Sequence, residues 1–187
     1  YLLGAGSGTI NAGIPLSVIG NNMAYLRKAY NETGGYENMP FSVTEDSQLL
    51  AAISALGKYK IVFPVDRNGL IESMPEPDMT SLFRQKKRWS LGGTRVPFHG
   101  VMVLVTSVAA HSLPLIFLFF NPPAAGLLIL AVVLFDLLFL ISLLSRVGML
   151  PTIKYFPFFE IYYFFYVTFM PLVLLFSRSV EWKGRKF

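Results

Sequence analysis

Two short stretches carry side chains suited to chemistry. The first is Thr44-Glu45-Asp46. A carboxylate such as Asp46 can accept a proton from an attacking hydroxyl held within hydrogen-bond reach, although adjacent carboxylates are more commonly solvated or cap a helix. The second is Gln85-Lys86-Lys87-Arg88-Trp89. In a helix, Gln85, Arg88 and Trp89 stand at i, i+3 and i+4 and share one face. That face offers an amide, a planar guanidinium matched to phosphate oxygens, and an indole able to stack on the apolar side of a sugar ring. Lys86 and Lys87 fall on other sides and can reach toward lipid headgroups. An interfacial amphipathic helix anchored by its tryptophan and cations accounts for the same residues, and spacing alone leaves both readings open. The Gly-rich "GAGSGT" has G-x-G-x-G spacing and no Walker lysine. It reads as a flexible or close-packed turn rather than a nucleotide-binding loop.

The elements that must position these residues divide at about Arg95. Residues 1–96 carry ten Lys/Arg and eight Asp/Glu, an ordinary soluble balance. Between 97 and 176 the charged residues are Asp136, Arg146, Lys154 and Glu160 alone. The whole chain of 187 residues is 53% hydrophobic and 14% charged, with a mean hydropathy of +0.53, against roughly a quarter charged in soluble domains. In the first half, 16–19 and the run "YKIVFPVD" read as strands. The apolar positions Leu49, Leu50, Ile53 and Leu56 read as a helix, capped by Thr44 or Ser47 and ended by Gly57. Strand, helix and strand in that order predict an α/β fold.

In the second half, 101–120, 124–144 and 155–176 are each about long enough to cross some 30 Å of hydrocarbon. The charge-free "NPP" turn and the basic residues Arg146 and Lys154 place the soluble half and the 145–154 loop in the cytosol by the positive-inside rule. A simple third crossing would put the basic tail on the other side. A re-entrant or interfacial 151–176 segment, which Pro157, Glu160 and Pro171 permit, would not. Asp136 reads as a hydrogen-bonded acid packing helices and His111 as a packing residue, so neither is placed in the active site. The net charge of +5 is concentrated at 84–95 and 178–186, beside apolar segments. This suits anionic headgroups or a phosphorylated substrate, and no nucleic-acid module spacing is present. Cysteine is absent, which excludes disulfides and thiolate metal sites.

Taken together, "GNNMAYLRKAY", "GGY", "TED" at 44–46, "QKKRW" at 85–89 and the apolar segments that follow resemble the membrane-bound family-2 glycosyltransferases, the group of cellulose, hyaluronan and ceramide-glucose synthases. The ending "VEWKGRKF" looks like that of the lipid-glycosylating members. The resemblance implies the C-terminal, acceptor-side half of a GT-A type domain over 1–80, an interfacial helix over 81–96, about three transmembrane helices over 97–176 and a basic tail over 177–187. It implies a hexosyltransferase that moves sugar from a nucleotide-diphosphate donor to a lipid or glycan acceptor by a single inverting displacement, with the catalytic part on the cytoplasmic face. Asp46 matches the general base, Glu45 its supporting neighbour, and Gln85, Arg88 and Trp89 the helix that closes over donor diphosphate and acceptor. A divalent metal, Mg or Mn, is expected with ligands outside this chain, because D-x-D occurs nowhere in it. The 187 residues alone are therefore expected to be inactive. The reading from a different class is a non-enzymatic membrane scaffold or transporter subunit with a cytosolic arm, with Asp136 and His111 as pathway residues.

Overall fold

Glycine in a helix interior costs about 1 kcal/mol relative to alanine, yet "GAGSGT" lies wholly within helix α1 (Leu2–Asn11). Tertiary contact explains the departure from the expected turn. Gly4 and Gly6 are buried, Gly4 against the ring of Phe139 and Gly6 against that of Phe63. A β-carbon added at Gly6 would lie 2.6 Å from the Phe63 ring. The missing side chains let two aromatic rings reach the helix surface.

The computed structural model describes residues 1–92, 96, 98–177, 179–182 and 185–186. Residues 93–95, 97, 178, 183, 184 and 187 lie outside the described residues, and with them part of the expected basic helix, its junction to the first span and part of the tail. The soluble half continues with α2 (Arg27–Glu32), α3 (Glu45–Ala55) and α4 (Met79–Gly92). Its small core joins Ala29 of α2 to Leu49 and Ile53 of α3, with Met23, Tyr30, Met39 and Tyr59 packed around them. Gly57 follows α3 at φ +64, a left-handed conformation that glycine adopts without strain.

The α/β expectation is overturned. Neither 16–19 nor the "YKIVFPVD" segment forms a strand. Among the described residues the only ladder pairs β1 (Glu181–Trp182) with β2 (Arg185–Lys186) in the tail, so no GT-A half-domain is formed. A strand needs a neighbouring edge for its N–H and C=O groups, and Pro64 removes one donor from the second segment. Instead, side chains of both segments, Val18, Ile19, Ile61 and Phe63 among them, line a cavity of about 510 Å³ with Leu3 and Ile10 of α1.

Among the described residues three helices are long and apolar enough to cross a membrane: α5 (Phe98–Phe117), α6 (Pro122–Arg146) and α7 (Phe156–Phe176), the last preceded by a 3₁₀ turn from Leu150. Asn121 caps α6 by accepting the Ala124 N–H at 3.2 Å. α5 packs on α6 and α7, while α1 packs on α6. Large apolar side chains such as Phe135, Phe158 and Leu127 face outward, while His111, Asp136 and Glu160 are buried. That distribution is the reverse of a water-soluble bundle and suits a hydrocarbon surround.

α4 is the joint between the halves. On one side Lys87 Nζ donates to Ser177 Oγ at 2.9 Å, Ser90 Oγ and Tyr166 OH lie 3.0 Å apart, and Arg84 pairs with Glu181 at 3.5 Å. These three positions recur every third residue and engage α7 and the tail, so Ser177 and Glu181 lie against α4. On the other side Gly92 packs directly on Thr44, the residue preceding α3. A side chain at 92 would meet the branched Thr44 side chain head-on. Gly92→Val should therefore destabilise the protein by about 1–3 kcal/mol, the usual cost of overpacking, measured as a lowered thermal midpoint in detergent with α-helix content retained.

Candidate active site

The segment before α3 runs Ser42-Val43-Thr44 and then enters the helix with Glu45 and Asp46 in its first turn. Thr44 occupies the capping position but makes no side-chain capping bond; its hydroxyl instead lies 3.3 Å from Ser42 Oγ. Asp46 supplies the local contact, its Oδ1 accepting the Ser47 N–H at 2.7 Å. Two carboxylates in the first turn also suit the positive end of the helix dipole. Glu45 is exposed and Asp46 half-buried. The other Asp46 oxygen rests on Gly20, where an added β-carbon would lie 2.6 Å from Oδ2. The Gly20–Asn22 turn thus forms the floor beneath this carboxylate.

α4 brings the second motif to the same place. Arg88 Nη1 donates to the Val43 carbonyl at 2.9 Å, which binds the helix three residues upstream of Asp46. A charged donor on a carbonyl contributes about 1.5–3 kcal/mol. Gln85 Nε2 donates to Glu76 Oε1, in the segment entering α4. Trp89 carries Lys86 over its ring, with Nζ 4.3 Å from the centroid. Lys86 therefore does not extend away from the motif as its helical position suggested: it is three residues before Trp89 and folds over that neighbour. Burial pushes its ammonium below the ordinary lysine value, with the nearby Glu76 carboxylate opposing the shift.

The structure thus places Arg88 beside the Val43–Asp46 stretch and leaves Gln85 with Glu76 and Trp89 with Lys86. Glu76 and Lys86 are the neighbours that spacing did not single out. Helical adjacency of positions 86 and 89 is a signal for the second, whereas Glu76 lies in an irregular segment that no periodicity assigns. The residues around Asp46 do not fit a divalent metal. Among the described residues the one grouping of three His, Cys, Asp or Glu ligand atoms close enough to share an ion is His111, Asp136 and Glu160, inside the spans.

The model of the family described as glycosyl transferase family group 2 matches residues 4–177. The chain belongs to that family. Comparisons with curated proteins and with solved structures returned no match. The match spans both motifs and all three apolar helices of this glycosyltransferase, so the soluble half, α4 and the spans are one family unit rather than a fusion of unrelated parts. The family implies a nucleotide-sugar donor and an acceptor, and the three apolar helices fit a membrane association.

The Lys86 environment has a measurable consequence. A lysine whose folded value lies below its ordinary 10.5 binds fewer protons when folded than when unfolded, so stability rises with pH through the interval below 10.5. In Lys86→Met that alkaline rise should be reduced, with the change read from thermal midpoints of both proteins at neutral and alkaline pH.

Proposed function

We propose that this glycosyltransferase moves a sugar from a nucleotide-diphosphate donor to a membrane-borne acceptor, a lipid hydroxyl, by one inverting displacement. The observation that carries the reading is the Arg88–Val43 hydrogen bond of 2.9 Å. It holds the cationic, aromatic helix beside the only pair of adjacent carboxylates in the chain, while Ser90 and Lys87 hold the same helix on α7. A water-soluble donor and a bilayer-held acceptor would meet at such a joint.

In this mechanism the Asp46 carboxylate takes the proton of the acceptor hydroxyl as its oxygen attacks the anomeric carbon. The new carbon–oxygen bond forms opposite the bond to the diphosphate, which breaks with the electron pair leaving on the nucleoside diphosphate. Arg88 supplies positive charge toward the leaving group, Gln85 adds an amide donor, and Trp89 offers its ring to the sugar. Glu45 supports Asp46 from the same turn. A metal on the donor diphosphate would supply further charge neutralisation, but the residues beside Asp46 provide no ligand set for it, and no step is assigned through it. We place the soluble half and the connection between α6 and α7 on the cytoplasmic face. The support is charge, with Arg146 and Lys154 flanking that connection, and contact: a β-carbon at Gly148 would lie 3.3 Å from Arg67 of the soluble half.

The buried His111–Asp136–Glu160 cluster favours one other reading, a transporter subunit or membrane scaffold. The two separate by substitution. In the intact parent protein, which also supplies the donor-binding part, Asp46→Asn should lower sugar transfer by about 10²–10⁴-fold, the scale of a lost general base, and Trp89→Ala should lower it too, both at normal expression in membranes assayed with labelled sugar nucleotide; unchanged transfer in both sinks the enzymatic assignment. The purified 187 residues, incubated with sugar nucleotide and metal, should give no turnover, and product formation by them would refute the need for a separate donor-binding part.

A further inference from the structure

Each of the three spans contributes one polar ionisable side chain to a single buried point. His111 comes from α5, Asp136 from the middle of α6 and Glu160 from the first turns of α7. They are 4%, 7% and 5% exposed, and one ligand atom of each lies within 4.8 Å of the others.

The hydrogen bonds around the cluster are directional. His111 Nδ1 lies 2.8 Å from the Ser107 carbonyl; a carbonyl only accepts, so Nδ1 carries a proton and Nε2 is left to face the cluster. Nε2 is 3.2 Å from Asp136 Oδ2. The second Asp136 oxygen accepts the Tyr1 hydroxyl at 2.9 Å. The imidazole is held edge-on by Tyr163 and Phe164, with ring centroids 5.1 and 4.9 Å away. Glu160 differs from the other two: neither of its carboxylate oxygens has a hydrogen-bond partner among the described residues, although both are buried. A second proton on His111 would explain its pairing with Asp136 and leave Glu160 unexplained. A neutral, protonated Glu160 would still bury an unused O–H donor, and an unsatisfied buried polar group is costly.

We propose that His111, Asp136 and Glu160 form a binding site for a divalent transition metal of the zinc class, with one ligand from each membrane helix. A divalent ion balances the two carboxylates and gives Glu160 its missing partner. Ligands about 2.0–2.1 Å from a tetrahedral ion stand about 3.3 Å apart, close to the His111–Asp136 separation of 3.2 Å, and a Glu160 oxygen lies within 4.8 Å of both partners' ligand atoms. The Ser107 carbonyl on Nδ1 and the Tyr1 hydroxyl on the spare Asp136 oxygen are the outer hydrogen bonds that orient metal ligands. Three protein ligands leave a fourth position open. A cavity of about 500 Å³ bordered by Tyr1, Thr106, His111 and Asp136 lies against two of the three ligands, on the side where that fourth position would open. This metal is separate from any ion on the donor diphosphate, and the site stands whether or not the sugar-transfer assignment holds.

The test is equilibrium binding of Co²⁺ to the protein purified from membranes in detergent, stripped with chelator beforehand, with visible absorption reporting the coordination. One Co²⁺ per chain with tetrahedral or five-coordinate ligand-field bands, displaced by Zn²⁺, is expected. Glu160→Gln should weaken binding more than tenfold, Tyr1→Phe about tenfold as an outer hydrogen bond, and Glu37→Gln, a surface carboxylate change, should leave it unaltered. Wild-type protein that takes up no stoichiometric Co²⁺ or Zn²⁺ would overturn the site, as would binding that survives Glu160→Gln intact. If Glu160→Gln does not fold, the wild-type stoichiometry and the Tyr1→Phe shift decide the matter by themselves.

Discussion

The guanidinium of Arg88 on the carbonyl of Val43 ties α4, the helix that joins the two halves of this glycosyltransferase, to the segment that leads into α3. A lysine ammonium is a compact point charge on a flexible stem, whereas the planar guanidinium presents fixed donors, so the residue type matters as much as the charge. The bond sets the position of α4 relative to the first turn of α3, and Gly92 on Thr44 keeps the two close where any side chain would separate them. The opposite side of the same helix is fixed on α7 by Lys87 and Ser90. One amphipathic element thus holds a candidate base and a membrane bundle in a common frame.

Within the bundle the usual ordering of polar and apolar surface is inverted. Outward phenylalanines and leucines have no aqueous penalty in a hydrocarbon surround, and helix association there relies on close packing and on polar contacts between helices. The polar contacts here are few and concentrated. Tyr1, carried by α1, slots its ring among Phe139, Phe159 and Tyr163 and its hydroxyl onto Asp136, so the soluble half reaches into the bundle at the point where its charges are gathered. α1, with glycines at its contact surface, is the element that makes this approach possible.

Several features were legible in the residues alone. The three apolar helices follow from length and composition and α3 from the spacing of Leu49, Leu50 and Ile53, while α4 is expected from the family resemblance of its motif. The readings that failed did so because they depended on partners. A strand propensity at "YKIVFPVD" cannot become a strand without a neighbouring edge, and a Gly-rich stretch becomes helical when aromatic rings need to approach it. Lys86 was assigned outward by its angular position, yet a neighbouring indole and Glu76 drew it inward. The readings of Asp136 as a hydrogen-bonded acid and of His111 as a packing residue agree with the structure, in which both are buried between the helices; what they could not show is the convergence with Glu160, because nothing local links positions 111, 136 and 160.

By itself the sequence determined where the chain turns from polar to apolar, which side chains have the chemistry for proton acceptance, phosphate contact and stacking, and, through the match over residues 4–177, the family. These properties belong to composition and short-range periodicity, which a linear chain carries in full. Only the tertiary structure decided that Arg88 meets Val43, that the expected sheet is not formed, and that one residue from each span converges on a buried point. Those outcomes depend on contacts between residues 24 to 49 positions apart, where burial and the need to satisfy polar groups, rather than local preference, choose the neighbours.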